Sequence, residues 1–246
     1  MHVALDKNKR AKQTVIFIHG LGSSASMWQD ITPKINNARV VSVDLLGFGS
    51  SPKPKWMKYN ARQQASALHR TIIRLGSYEN LIIVGHSLGS LVAIEYARKH
   101  PLMAKRLILC SPPLYQPSDK VFARDNIYIT IYKFLRKKPA AVIKGSRYLR
   151  ANKGLKIDQQ TLPAYVKSLE SGIENQDAAD RLKTVKVPVD IIYGRLDLLL
   201  ITKNLKLVAN ANKNIELHPV ASGHEVIGFH HDKLVKLINE SLHIED

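Results

Sequence analysis

Cysteine is nearly missing from this chain: Cys110 is the single one in 246 residues. An intramolecular disulfide framework is therefore excluded, and a reducing, cytoplasmic setting is expected. No apolar run approaches the roughly 20 residues that a membrane helix needs. The opening Met1-His2-Val3-Ala4-Leu5-Asp6 lacks the long apolar core of a secretory signal. Internal repeats and low-complexity tracts are also lacking. So are a G-x-x-x-x-G-K-[ST] phosphate loop, a G-x-G-x-x-G turn in the right context and any clustering of metal-ligand residues. Cys110 stands at the end of an apolar run and reads as core, so neither a metal nor a cofactor is expected.

Acid is scarce. Twenty Asp and Glu face 37 Lys and Arg, a formal net charge of +17. Such a field attracts anions at long range but names no partner, and solvated surface lysines are the simplest reading. The distribution is uneven: between Asn126 and Ile157 there is no acid, while Lys133, Arg136, Lys137, Lys138, Lys144, Arg147, Arg150, Lys153 and Lys156 all fall there. Ile127, Ile131, Phe134 and Leu135 recur there at helical spacing. A pocket-lining or core-packed face is expected, with transient contact to an anionic surface as the second option. Nucleic acid has only the charge in its favour and is not expected as a partner.

Hydrophobic residues make up 45% of the chain, enough for one substantial core. In the first half, short apolar runs alternate with longer amphipathic ones. Val15 to Ile18, Arg39 to Val43, Leu81 to Gly85 and Arg106 to Cys110 read as strands. Ala25 to Ile35, Ala61 to Leu75 and Leu88 to Lys99 read as helices. That rhythm predicts an α/β fold with a mostly parallel central sheet and helices on both faces. After Ser111-Pro112-Pro113 it breaks. Asn126 to Lys138, Ala140 to Leu149 and Leu162 to Glu170 read as helices with no buried strand among them. It resumes with strands at Val189 to Tyr193 and Asn214 to Leu217, and with helices at Thr202 to Ala209 and His231 to Leu242. A core of residues 1–113 and 181–246 with a helical cap insertion at 114–180 is the expected organisation.

Gly85-His86-Ser87-Leu88-Gly89 is a G-x-S-x-G pattern between a strand and a helix. A serine on so sharp a turn sits in a strained backbone, and small neighbours let the chain bend that tightly. The turn pushes the Ser87 hydroxyl out at the carboxyl end of the sheet, where such folds bind ligands. A serine hydroxyl needs a base, and the base an orienting acid. His224, in Ser222-Gly223-His224-Glu225 after the last expected strand, is the candidate base, with His218 in reserve. His86 points elsewhere on the turn. Asp197, in Tyr193-Gly194-Arg195-Leu196-Asp197, is the candidate acid, since the other available loop, Ser111-Pro112-Pro113, offers no carboxylate. Backbone N–H groups of Leu88 and of Leu21, in His19-Gly20-Leu21-Gly22, would form an oxyanion hole.

These motifs, with Asp44-Leu45-Leu46-Gly47-Phe48-Gly49-Ser50, resemble the α/β-hydrolase superfamily over nearly the whole chain. The resemblance is to its capped branch of small carboxylesterases, carbon–carbon bond hydrolases and cofactor-free haloperoxidases. It implies that Asp44 and its glycine-rich loop wall the active site without doing chemistry. It also implies that the leading antiparallel strands are trimmed to one near His2 to Leu5. The chain has Leu198-Leu199-Leu200 after Asp197, where relatives often carry a polar or proline-containing turn. Serine at the elbow disfavours epoxide opening and halide displacement, which use a carboxylate there. The expectation is a serine hydrolase cleaving small to medium carboxylic esters. The alternatives are carbon–carbon hydrolysis with Arg147 or Arg150 binding an acidic tail, peracid formation on the same residues, and a slow-turnover ligand sensor.

Overall fold

The computed structural model describes residues 1–76, 80–116, 158–174 and 176–243. They form a seven-stranded sheet. Its strands are β1 (His2–Lys7), β2 (Thr14–Ile18), β3 (Arg39–Asp44), β4 (Leu81–His86), β5 (Ala104–Cys110), β6 (Val189–Gly194) and β7 (Ile215–Val220). The spatial order is β1-β3-β2-β4-β5-β6-β7. β1 runs antiparallel to β3, and every other pairing is parallel. The single antiparallel strand and the parallel remainder agree with the sequence reading.

Alternation along β2 shows how both faces are buried. Val15 and Phe17 join one apolar cluster with Trp28, Ile82, Val84 and Ile108, while Ile16 and Ile18 join the other with Leu68, Ile72 and Leu91. Each fully buried Ile, Val or Phe side chain contributes about 1.5–3 kcal/mol. The second cluster is roofed by helices α1 (Ala61–Leu75) and α2 (Leu88–Lys99). Both match their expected bounds. α1 is fixed locally at each end: Asn60 Oδ1 accepts from the Gln63 N–H at 2.9 Å, and Gly76 closes it at φ 68°. Gln63 reaches back to the Lys58 and Tyr59 N–H groups, a variant of the reciprocal cap.

The expected helix Ala25 to Ile35 is instead two 3₁₀ turns, Ala25–Trp28 and Thr32–Lys34. Pro33 is the cause: it has no N–H for the Gln29 carbonyl and its ring would clash there, so a continuous helix cannot pass through it. Trp28 still reaches the core, its ring 5.1 Å from Phe17.

Between β5 and β6 the chain inserts helices α3 (Leu162–Ser168) and α4 (Ala178–Leu182). α3 continues into a π-helical segment, Leu169–Glu174, four residues beyond the expected end. The expected helices at 126–138 and 140–149 lie outside the described residues. After β6 come α5 (Thr202–Ala211), α6 (Val226–Phe229) and α7 (His231–His243). α7 packs Leu234 and Ile238 on the face opposite α1 and α2. Among the described residues no helix is long and apolar enough to cross a membrane.

A buried ionic chain crosses β5, β6 and β7 on that face. Arg106 Nε donates to Asp190 Oδ2 at 2.6 Å, and His218 Nε2 lies 2.8 Å from Asp190 Oδ1. With Glu216, which is exposed, Asp190 and His218 place three potential metal-ligand atoms within 4.8 Å of one another. Arg106 already neutralises the buried carboxylate. Burial raises the Asp190 pKa, but the His218 and Arg106 hydrogen bonds outweigh it and hold the group below its ordinary value. A depressed carboxylate contributes stability above its unfolded pKa and loses it as pH falls through the folded one. Asp190→Ala should therefore cost about 3 kcal/mol near neutrality, since it strands a buried partner. In urea unfolding the deficit should shrink below about pH 4; an equal deficit at both pH values would contradict this account.

Candidate active site

The sheet order reverses beside β2, whose neighbours are β3 and β4. Loops leaving β2 and β4 therefore diverge and open a crevice at their carboxyl ends. Ser87 follows β4 directly, with φ 51° and ψ −117°. Its N–H donates to the Cys110 carbonyl at 2.9 Å, and Ser90 Oγ donates to the Gly85 carbonyl at 2.8 Å. A Cβ on Gly89 would lie 2.3 Å from the Ile18 carbonyl oxygen, and one on Gly85 would lie 2.5 Å from that of Gly89. Only hydrogen at these two positions lets α2 start so close under the sheet. Cys110 is wholly buried between β4 and β6, and burial pushes its thiol far above the usual range. It is core, as expected.

The β2 loop approaches the elbow from the other side. A Cβ on Gly20 would sit 3.3 Å from Ser87 Cβ. His19 is fully buried: its Nε2 accepts from the Leu45 N–H at 2.9 Å and its Nδ1 donates to the Gly20 carbonyl at 2.7 Å. The Ser23 N–H donates to the same carbonyl. Holding that oxygen fixes the Gly20–Leu21 peptide plane and hence the direction of the Leu21 N–H. Neither the Leu21 nor the Leu88 N–H is engaged by another described residue.

Asp197 lies in the loop after β6 and His224 in the loop after β7. His224 Nδ1 and Asp197 Oδ2 are 2.8 Å apart, and the carboxylate is fully buried. Its other oxygen accepts from the Leu199 N–H at 2.8 Å. The run Leu198-Leu199-Leu200 thus secures the Asp197 carboxylate through backbone, where a polar side chain is not required. Gly194 brings the two loops together: a Cβ there would lie 2.2 Å from the carbonyl oxygens of Ser222 and Gly223. With Asp197 accepting, a proton of His224 is held on Nδ1. His218, the reserve base, is instead committed to Asp190.

Asp44 is spent on architecture. Its carboxylate accepts from the Ala25 and Ser50 N–H groups, each at 2.8 Å, and lies 3.0 Å from His2 Nδ1. Burial raises its pKa; these bonds lower it further and win. Two histidines contact backbone carbonyls around the site, His19 that of Gly20 and His86 that of His224. Their partners are backbone atoms, which leave no side-chain signature in the sequence. A cavity of about 480 Å³ opens between α1, α2 and α4, lined by Asn60, Arg62, Leu91, Glu95, Gly172 and Arg181 among others, and by none of Ser87, Asp197 and His224.

Gly194→Ala should force these loops apart and cost about 3 kcal/mol, the upper end of overpacking. Chemical denaturation reads this directly, and a variant within about 0.5 kcal/mol of the parent would refute the close approach.

Residues 13–154 match the family model described as alpha/beta hydrolase fold. Among curated proteins, the chain is 38% identical over 115 residues to "Probable lysophospholipase BODYGUARD 2" of Arabidopsis thaliana, covering 44% of this chain and 24% of that protein. The chain thus spans about a quarter of the length of that relative. It is 29% identical over 254 residues to a pimeloyl-[acyl-carrier protein] methyl ester esterase of Pseudoalteromonas atlantica, covering 92% of this chain and 93% of the other. Among solved structures, MenH from S. aureus superposes with a TM-score of 0.76 at 21% identity, over 97% of this chain and 96% of that one. That likeness concerns the fold alone. The strand order, the elbow and the family match agree: this chain belongs to the alpha/beta hydrolase fold family.

Proposed function

We propose that the protein hydrolyses carboxylic esters of small to medium acyl chain through an acyl-enzyme on Ser87, with His224 as base and Asp197 as its orienting acid. The observation that carries this reading is the 2.8 Å bond from His224 Nδ1 to a fully buried Asp197, with Ser87 held at φ 51° at the start of α2. His224 Nε2 takes the Ser87 proton as Oγ attacks the ester carbonyl. The oxyanion that forms is met by the Leu21 and Leu88 N–H groups, oriented before substrate arrives. Collapse of the tetrahedral intermediate expels the alcohol, which leaves with the proton from His224. Water then attacks the acyl-enzyme with His224 again as base, and the acid product departs from regenerated Ser87. Asp197 holds the imidazole in the tautomer that leaves Nε2 free and stabilises the imidazolium.

Support for the substrate class comes from the relatives. A methyl ester is what the Pseudoalteromonas atlantica relative's name assigns to that enzyme. We assign the segment 114–180 to a cap that limits the acyl pocket. The lone Cys110, buried and apart from the proposed chemistry, fits a reducing, cytoplasmic setting.

A p-nitrophenyl ester series from acetate to palmitate tests the reading and measures the pocket. Ser87→Ala and His224→Ala should lower kcat by roughly three to six orders of magnitude, and Asp197→Asn by about four, with the fold retained. Near-parental turnover in either folded alanine variant would dismiss the assignment. Single-burst kinetics in the parent would point instead to the ligand sensor.

A further inference from the structure

The His224 carbonyl oxygen is held to the sheet by two side chains. His86 Nε2 lies 3.2 Å from it and Ser111 Oγ donates to it at 3.0 Å. The Val226 N–H, at 3.0 Å, closes a local turn on the same oxygen, but a turn within the loop cannot anchor the loop to the core. His86 ends β4 and immediately precedes Ser87; Ser111 follows the last residue of β5. Both are buried, and the His86 and His224 rings lie 5.2 Å apart.

A carbonyl oxygen only accepts, so His86 carries its proton on Nε2. Its Nδ1 is then bare, buried and without a hydrogen-bond partner among the described residues, facing Gly20, where an added Cβ would come within 2.8 Å. Burial pushes the His86 pKa down, against the pull of Glu225 and Asp197. Burial thus favours the neutral form, in which His86 serves as a one-sided donor.

Building on the ester-hydrolase reading, we propose that His86 and Ser111 are positioning residues that tether the loop of the base to the strand that carries the nucleophile. The Asp197 bond orients the His224 ring but leaves its backbone pivot free. The His86 and Ser111 bonds fix that pivot, and they do so from the residue next to Ser87 and from the neighbouring strand. The separation of nucleophile and base is thereby set by one residue step of β4 rather than by two independent loops. Misplacing a reacting group by about 1 Å costs on the order of a hundredfold in rate.

The test compares His86→Phe, which keeps a ring but removes the donor, with His86→Gln, which keeps an N–H donor, and with Ser111→Ala. Each is measured on the p-nitrophenyl ester that the parent turns over best. His86→Phe should lower kcat about 10- to 100-fold with KM nearly unchanged, and His86→Gln should recover most of that loss. Ser111→Ala should lower kcat by a smaller factor in the same way. Parental kcat in folded His86→Phe, or a loss that His86→Gln does not repair, overturns the tether. If His86→Phe fails to fold, Ser111→Ala decides, and parental kcat there overturns the proposal. Ser87→Ala and His224→Ala run alongside. If they are inactive while the tether variants match the parent, only this inference falls; if they are active, the catalytic reading falls first.

Discussion

Ser87 sits at φ 51° and ψ −117°, where a residue with a side chain is strained by about 1–3 kcal/mol. Neighbours on every side hold it there. Its N–H is taken by Cys110 of the adjacent strand, its carbonyl by the Ser90 N–H one turn into α2. The helix start is pressed against β2 so closely that Gly89 has no room for a methyl group. The strain is offset by the two apolar clusters that fix β2, β4 and α2. Everything at the site is arranged around this fixed point: the Leu88 N–H is free because a helix starts there, and the β2 loop can approach because Gly20 lacks a side chain.

The partner loops are built differently. Asp197 and His224 stand beyond the ends of β6 and β7, where sheet hydrogen bonding has ended. They are located by a short series of backbone contacts: Arg195 N–H to the Val220 carbonyl, Leu196 N–H to that of Ser222, and Leu199 N–H to the carboxylate itself. Gly194 lets the loops touch. The Tyr115 hydroxyl, from the chain just after β5, donates to the Leu199 carbonyl at 2.6 Å and secures the far side. The turn at Ser87 is thus positioned by the core, and Asp197 and His224 by one another and by side chains from the ends of β4 and β5.

The buried strands were legible because β-branched and aliphatic runs bounded by glycine or charge have few other uses. α1 was legible to the residue because Asn60 and Gly76 mark its ends. Ser87, Asp197 and His224 each lie just past a strand, and the structure brings the last two into contact. Other features were not legible. Pro33 breaks the segment from Ala25 to Ile35, a stop signal that apolar spacing outweighed. His19 and His86 act on carbonyl oxygens, and Asp190 with Arg106 and His218 is an ion pair across three strands. Such pairings depend on the lateral register of the sheet, which a single sequence does not encode in any local pattern.

The end of the insertion is fixed to the core beside the turn at Ser87. Lys167 Nζ donates to the Lys55 carbonyl at 2.6 Å, and the Ser171 hydroxyl donates to the Lys58 carbonyl. A Cβ on Gly47 would lie 2.5 Å from Ala164 Cβ, so α3 rests directly on the loop that Asp44 staples. In the wider turn that follows, a Cβ on Gly172 would lie 3.2 Å from Leu88 Cδ1, so this segment packs closely on the residue after Ser87. A π-helical turn spreads its residues farther around the axis than an α-helical one, and a glycine at the contact lets its backbone come down on that leucine. The described stretch 162–174 is therefore docked on the backbone of the segment from Gly47 to Lys58 and on Leu88.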